Sequence, residues 1–275
     1  MARRRGRPRP GAGGGAAAVA GAALLVLAVG AFGALAYFYL ATPKPPALDA
    51  ASLCPVNGPA GITVVLVDTS DDLPETTKRQ VLGMLDDLIT GLPEYDKLDI
   101  RVLDTMASRS RSLFSKCNPG NGAGLSEWTA NPTIARMQWI ENFRRPAKEA
   151  VTTSVAAAKA TNSPIMAAIQ DIAIEQFSSA QVRAIPKSLI VISDMLEYTR
   201  DYSQYPSAGD LSYQRYQQSP AYLKFRTDLH GARIEIRYVQ RGGLKIDTLR
   251  HAEFWREWIV DNKGTFASVQ RLQGM

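Results

Sequence analysis

The sequence predicts an α/β domain built on a doubly wound, mostly parallel sheet flanked by helices and preceded by one N-terminal transmembrane helix. Two observations predict the sheet. Short apolar runs such as Ile62–Val67 (ITVVLV) and residues 188–193 (SLIVIS) lack an alternating polar face, as do strands buried on both sides. Helical patterns follow these runs along the chain. Strands that alternate with helices are typical of a parallel sheet with helices on its faces.

The basic character of the chain belongs to its first residues. The net charge is +6, but five arginines in the first ten residues leave about +1 for the remainder: Arg3, Arg4, Arg5, Arg7 and Arg9. A remainder that is nearly neutral does not predict a nucleic-acid partner.

Residues 16–41 carry no charge, and such a run is long enough to cross a hydrocarbon core of about 30 Å. The preceding arginines predict a cytoplasmic N-terminus, with Tyr37, Phe38 and Tyr39 at the far interface. A cleaved signal peptide ending near Ala34-Leu35-Ala36 is the alternative. The length of the run favours an uncleaved anchor.

We therefore predict a single-pass membrane protein whose soluble domain lies outside the cytoplasm, in the periplasm. The predicted boundaries are a basic cytoplasmic tail at 1–15, a transmembrane helix at 16–41, a linker at 42–59 and an α/β domain at 60–275. Outside the cytoplasm, the only two cysteines, Cys54 and Cys117, predict a disulfide. Two free buried cysteines remain the alternative.

Within the domain, apolar periodicity and turn residues place the remaining elements. Helices are predicted at 74–90, 131–160, after Pro164, at 223–230 and at 253–260, and further strands at 98–106, 112–117, 233–239 and 265–269.

Polar oxygen-bearing residues follow two buried strands and precede one helix. They are Asp68, Ser70 and Asp72 after the first strand, Ser163 before the helix at Pro164, and Asp194 after the strand at 188–193. The carboxyl ends of parallel strands meet at one edge of an open sheet, where ligands bind. Carboxylates and hydroxyls suit Mg²⁺, Mn²⁺ or Ca²⁺. Helix capping by Asp68 and Ser70 is the plainer alternative.

These motifs resemble the von Willebrand factor A (VWA) family, whose Rossmann-like domain carries a metal-ion-dependent adhesion site (MIDAS). VVLVDTSDD is similar to the family's D-x-S-x-S, NSPIMAAI to its G-T-P-x-x-A-A-L turn, and LIVISDM to its strand ending in T-D-G. The resemblance covers about residues 60–270. Asp72 stands at the third-position serine, and Met195 stands at the glycine.

The resemblance implies a membrane-anchored VWA-like module that binds a protein ligand, with a divalent cation, Mg²⁺ foremost, as its cofactor and no small-molecule cofactor. It implies direct or water-mediated metal ligands at Asp68, Ser70, Asp72, Ser163 and Asp194. A metal-free scaffold in an envelope complex is the alternative function.

The segment 197–220 is predicted to be an insertion beside this site. It contains five tyrosines among small polar residues, which are typical of a contact surface, and we expect them to bind the partner: Tyr198, Tyr202, Tyr205, Tyr213 and Tyr216. A self-packed surface insertion is the alternative.

Enzymatic function is not expected. In a phosphatase-like hydrolase with Asp68 as nucleophile, a second aspartate would act as general acid, but the chain has Ser70 at that position. No G-x-S-x-G or H-E-x-x-H motif is present. His251 is expected on a helix surface.

Overall fold

The structure is a computed structural model that describes residues 14–41, 45–125, 131–156, 160–205, 211–240 and 246–272. The chain separates into two units, Met1–Pro46 and Ala47–Met275. Because the described residues begin at residue 14, the basic tail predicted at 1–15 lies almost wholly outside them.

The first unit contains one long helix, α1 (Gly14–Ala41). Its segment Ala18–Ala41 has a mean hydropathy of 2.3, and none of it is buried against other parts of the protein. Among the residues that the structure describes, this is the only helix long and apolar enough to cross a membrane. The expected position of an apolar anchor helix is confirmed.

The second unit is built on a six-stranded sheet with the order β3-β2-β1-β4-β5-β6. All neighbouring pairs are parallel except β2 and β3, which form an antiparallel hairpin. The predicted doubly wound, mostly parallel sheet is thus confirmed. Its strands are β1 (Ile62–Val67), β2 (Lys97–Asp104), β3 (Arg109–Cys117), β4 (Lys187–Ser193), β5 (Arg233–Tyr238) and β6 (Thr265–Arg271).

Helices flank the sheet on both faces, and β1 lies between two apolar cores. Val64 and Leu66 pack with helices α5 and α8 on one face, whereas Val65 and Val67 pack with α2, α3 and α4 on the other. The helices are α2 (Glu75–Gly91), α3 (Pro132–Trp139), α4 (Arg145–Ser154), α5 (Ile165–Ile172), α6 (Tyr213–Gln217), α7 (Pro220–Lys224) and α8 (Thr248–Asp261). Burial on both sides explains why β1 has no polar face.

Short π-helical segments continue two of these helices. Ile140–Arg144 joins α3 to α4, so the helix predicted at 131–160 is continuous as far as Ser154. Ala173–Phe177 extends α5 towards a short 3₁₀ turn, Ala180–Val182.

The helix predicted at 223–230 is wrong, because α7 ends at Lys224. The chain after Lys224 forms hydrogen bonds with Asn262, the residue that follows α8. The Thr227 amide donates to Asn262 Oδ1 at 2.7 Å, and the Leu229 amide donates to the Asn262 carbonyl at 2.8 Å. Donors committed to Asn262 cannot form the intrahelical hydrogen bonds that a helix needs.

Cys54 and Cys117 form a disulfide, which confirms the predicted bridge and excludes two free cysteines. The bridge attaches the segment before β1 to the end of β3, where the Cys117 amide also donates to the Ser52 carbonyl at 2.9 Å. The chain therefore belongs to the second unit from Ala47 onward. The predicted linker at 42–59 is correspondingly too long.

Candidate functional site

The site lies where the order of the sheet reverses, between β1 and β4. Chain connections leave this pair of strands in opposite directions across the sheet, which opens a crevice at their carboxyl ends. Asp68 follows β1 and Asp194 follows β4. The Asp68 amide donates to the Ile192 carbonyl at 2.9 Å, so the two strand ends remain in register up to the acidic residues.

The carboxylate of Asp68 gathers three serines around it. Its Oδ1 accepts a hydrogen bond from the Ser70 amide at 2.9 Å. Its Oδ2 accepts from the hydroxyls of Ser193 at 2.7 Å and Ser163 at 3.3 Å. The side chains of all these residues are buried. We call Asp68, Ser70, Ser163, Ser193 and Asp194 the Asp68 cluster.

Asp194 is also buried, and its Oδ1 accepts from the Leu196 amide at 3.0 Å. The turn between them passes through Met195 at φ 61°. This left-handed conformation costs a non-glycine residue about 1–2 kcal/mol, which explains why the VWA motif has glycine at this position. The Met195 side chain is buried in the apolar core, and this burial offsets the cost.

The structure does not bring Asp72 into the cluster. Its side chain is 64% exposed and forms an ion pair with Lys78 Nζ at 3.0 Å, on the first turns of α2. Two hydrogen bonds from Lys78 raise its pKa: the larger effect comes from the bond to Asp72 and the smaller from the bond to Glu75. Asp72 is therefore paired with a cation at the surface, whereas Ser70 and Ser163 contact Asp68 and Asp194 follows the neighbouring strand β4.

The residues of the Asp68 cluster have the chemistry to bind a hard divalent cation. They supply two carboxylates and hydroxyl oxygens at one buried sheet edge, which are the donors that Mg²⁺ and Ca²⁺ take. No group of three or more His, Cys, Asp or Glu side chains arranged for a metal occurs in the described residues. Hydroxyl oxygens would therefore have to provide part of any coordination here.

Ser193 is a member of the cluster that the sequence analysis missed. As the last residue of β4 it reads as part of a buried strand. Its position directly before Asp194 is the signal that could have indicated it. Its oxygen both donates to Asp68 and accepts from the Met195 amide at 2.7 Å, so it connects the two strand ends.

Glu197 was also missed, and it supports the turn that carries Ser163. It is fully buried, and its Oε2 accepts from the Met166 amide at 2.9 Å, at the start of α5. Burial is the main cause that raises the pKa of Glu197 to about 8, so the carboxyl is protonated at neutral pH. The next residue, Tyr198, pairs with Ser163 through two backbone hydrogen bonds of 2.8 and 3.0 Å.

The tyrosine segment differs from the exposed face that we expected. Tyr202, Tyr213 and Tyr216 are at most 8% exposed, and their rings pack against Phe254 of α8 at centroid distances of 5.5–6.0 Å. Their contact surface is thus used inside the domain. Only Tyr198, which is 44% exposed, and the half-buried Tyr205 reach the surface, and their rings meet edge to face.

The expectation that His251 lies on a helix surface is wrong, because its side chain is fully buried. Its Nδ1 lies 2.9 Å from the Tyr238 hydroxyl, and its Nε2 lies 3.2 Å from Gln204 Oε1. Burial lowers the pKa of His251 to about 4. His251 therefore joins α8 to the segment that follows Asp194 and has no access to solvent.

No family model and no curated protein matches this chain. Matches to solved structures include BatB from Bacteroides thetaiotaomicron, at 13% identity over 78% of this chain and 91% of that one, with a TM-score of 0.39. They also include an aerotolerance-related membrane protein from Bacteroides fragilis carrying multiple mutations to serine, at 13% identity over 78% and 92% of the two chains, with a TM-score of 0.34.

A third match is the SpRpn10 VWA domain, at 10% identity over 78% of this chain and 90% of that one, with a TM-score of 0.39. These similarities concern the fold alone. The assignment of a role to the Asp68 cluster therefore rests on the residues of this chain.

Proposed function

We propose that this chain is a membrane-anchored, periplasmic protein-binding module whose Asp68 cluster holds a divalent cation. The observation that carries the proposal is the buried contact of the Ser163 hydroxyl with Asp68, at the end of β1, beside the buried Asp194 that follows the neighbouring strand β4. This position in an open α/β sheet is where ligands bind.

In this proposal, Asp68, Ser70, Ser163 and Asp194 hold the cation directly or through water, with Mg²⁺ as the first candidate. The bound cation would offer an open coordination position to an acidic side chain of the partner. The protein supplies the placement. Ser193 fixes the Asp68 carboxylate through a hydrogen bond of 2.7 Å, and the backbone pairing with Tyr198 fixes Ser163.

The proposed role is binding rather than catalysis. Asp68 would be the nucleophile of a phosphatase-like reaction. Its Oδ2, however, accepts hydrogen bonds from two hydroxyls, and its Oδ1 accepts one from a backbone amide. The buried histidine of α8, His251, is committed to Tyr238 and Gln204. These contacts use both oxygens of Asp68 and both ring nitrogens of His251 within the protein.

A second candidate is a metal-free scaffold in an envelope complex. The observation that favours it is the same set of hydrogen bonds, because both oxygens of the Asp68 carboxylate accept hydrogen bonds from the protein itself. A carboxylate satisfied in this way can serve to join β1 to β4 and nothing more. The two candidates make opposite predictions about cation binding.

Calorimetric titration of the full chain in detergent with Mg²⁺ and with Mn²⁺ separates them. We expect saturable binding that Asp68→Asn weakens at least about tenfold, as loss of a metal-site residue typically does. Asp72→Asn is the matched control and should stay within about twofold, since an exposed ion pair contributes little. Absence of binding by either ion, or equal effects of the two substitutions, would support the scaffold instead.

The protein partner is tested separately, by crosslinking the anchored protein in its own membrane and identifying what is captured. We expect the capture to fall when a chelator removes divalent cations and to fall likewise in Asp68→Asn. A partner captured equally well by wild type and Asp68→Asn, with or without chelator, would retain the binding role and exclude the cation.

A further inference from the structure

A groove lined by polar and apolar residues runs beside the Asp68 cluster. Its volume is about 590 Å³, which is within the range of ligand-binding clefts. One wall is the turn that precedes α5, with Asn162 and Pro164 on either side of Ser163, and the opposite wall is the turn 198–201. Phe225 adds an aromatic surface. The groove is thus directly adjacent to a member of the cluster without including it.

One positive charge of the groove has no ion-pair partner among the residues that the structure describes. Its charged lining residues are Arg200, Asp201 and Lys224. Lys224 Nζ pairs with Asp201 Oδ2 at 2.5 Å. Arg200 is exposed, and no carboxylate of the described residues forms an ion pair with it. Among the described residues, the Arg200 guanidinium is therefore available to pair with a negative charge of a ligand.

A second groove of about 420 Å³ adjoins the first at the same turn. It shares Thr199, Arg200 and Asp201 with the first groove, and Arg215 adds a further cation to its lining. Arg200 therefore lies on the ridge between two adjoining clefts. Two clefts joined over a ridge suit an extended chain better than a compact small molecule.

The ridge between the two grooves is the turn 198–201, and contacts with the rest of the domain fix its backbone. Its start is paired with Ser163 through Tyr198, and the Thr199 amide donates to the Tyr202 carbonyl at 2.9 Å. The Tyr202 ring stacks on Phe254 in the core at 6.0 Å between centroids. A backbone fixed in advance loses little conformational entropy when a ligand binds.

We propose that the two grooves bind an extended acidic segment of a protein partner, with Arg200 pairing with one of its carboxylates. This inference rests on the proposed protein-binding function and adds the chemistry of the partner. Arginine suits the contact because its planar guanidinium binds carboxylates through two parallel hydrogen bonds. The nearly neutral soluble part of the chain disfavours a nucleic acid as the source of the negative charge.

The test uses the full chain in phosphatidylcholine nanodiscs with Mg²⁺ and a library of random dodecapeptides displayed on phage. We expect the retained peptides to be enriched in Asp and Glu. One retained peptide, synthesised with a fluorophore, should bind Arg200→Gln about tenfold more weakly, as expected for loss of a charged hydrogen-bonded pair. The control is Arg183→Gln, at an exposed residue outside both grooves, and it should change affinity by less than about twofold.

Peptides that lack acidic enrichment, the absence of any retained peptide, or equal affinity for wild type and Arg200→Gln would overturn the inference. A chelator and Asp68→Asn distinguish it from the cation proposal. If both abolish peptide binding and Arg200→Gln does not weaken it, the cation proposal stands and the groove assignment fails. If only Arg200→Gln weakens binding, the groove assignment stands and the cation takes no part in binding the peptide.

Discussion

The Ser193 hydroxyl donates a hydrogen bond of 2.7 Å to Asp68 Oδ2 across the boundary between two parallel strands. The two residues are 125 positions apart in the sequence, and they meet because β1 and β4 are neighbours at the centre of the sheet. The contact joins the ends of β1 and β4 at the Asp68 cluster. The stability of the domain depends on this hydrogen bond and on buried ionisable groups nearby.

Replacement of Ser193 by alanine should destabilise the domain by about 1–3 kcal/mol, because a buried carboxylate loses a donor and the Met195 amide loses its acceptor. Urea unfolding followed by tryptophan fluorescence measures this, since α1 contains no tryptophan. Ser179→Ala, at an exposed serine, is the control and should remain within about 0.5 kcal/mol. Equal stability of the two variants would contradict the role of Ser193.

Removal of the disulfide should lower the free energy of unfolding by about 4 kcal/mol on the chain-entropy estimate, since the bridge spans 63 residues. The measurement compares urea midpoints of wild type and the Cys54→Ala, Cys117→Ala double variant. Reductant should shift the midpoint of wild type and leave that of the double variant unchanged. A midpoint of wild type that is insensitive to reductant would show that the bridge contributes no stability.

Glu197 should make the protein less stable as the pH rises from about 4.5 to 8. The folded protein holds its carboxyl protonated up to a pKa of about 8, whereas the unfolded chain releases the proton near its ordinary value of 4.5. Stability is therefore lost with rising pH by at most about 1.4 kcal/mol per pH unit. Glu197→Gln should flatten this dependence in denaturation measured between pH 6.5 and 8.

Glu149→Gln is the matched control for Glu197, because Glu149 is exposed on α4. It should leave the pH dependence of wild type intact. If the Glu197→Gln variant retained the wild-type slope, another group would have to be the one that binds the proton.

His251 should make the protein less stable as the pH falls, which is the opposite of the effect of Glu197 and occurs at lower pH. Burial lowers the pKa of His251 from 6.5 to about 4, so the unfolded chain takes up a proton that the folded protein excludes. Stability is then lost as the pH falls from about 6.5 to 4, by at most about 1.4 kcal/mol per pH unit. Substitution of His251 by glutamine should reduce this loss, measured as the difference in slope from wild type.

The other histidine serves as the control for this measurement. His230 is partly exposed and lies 3.7 Å from Asp228, so His230→Gln should leave the acid slope due to His251 in place. An unchanged slope in His251→Gln would contradict burial of a neutral imidazole.

The sequence was sufficient to place Asp68 and Asp194 at the ends of two central strands, because apolar runs located the strands and parallel strands end at one edge. It did not indicate Ser193, whose residue type fits a strand end without any special role. It placed Asp72 beside Asp68 by proximity in the chain, but Lys78 lies close enough to take that carboxylate. Competition from a surface cation cannot be read from a motif.

The tyrosine segment shows a different limit. A tyrosine ring suits a protein interface and an apolar core equally well, and here Tyr202, Tyr213 and Tyr216 turn inward to pack against Phe254 on α8. Burial of His251 depends similarly on partners that are distant in the sequence. Polar networks of this kind require the packed structure.

The bridge between Cys54 and Cys117 has a mechanical consequence. A pull applied at Ala47 divides at Cys54, where one path follows the backbone to β1 and the other crosses the two sulfurs to β3. Under the proposed function, tension between the membrane anchor and a bound partner would be shared between the central strand of the sheet and its edge. The strand that carries Asp68 would then not bear the full load.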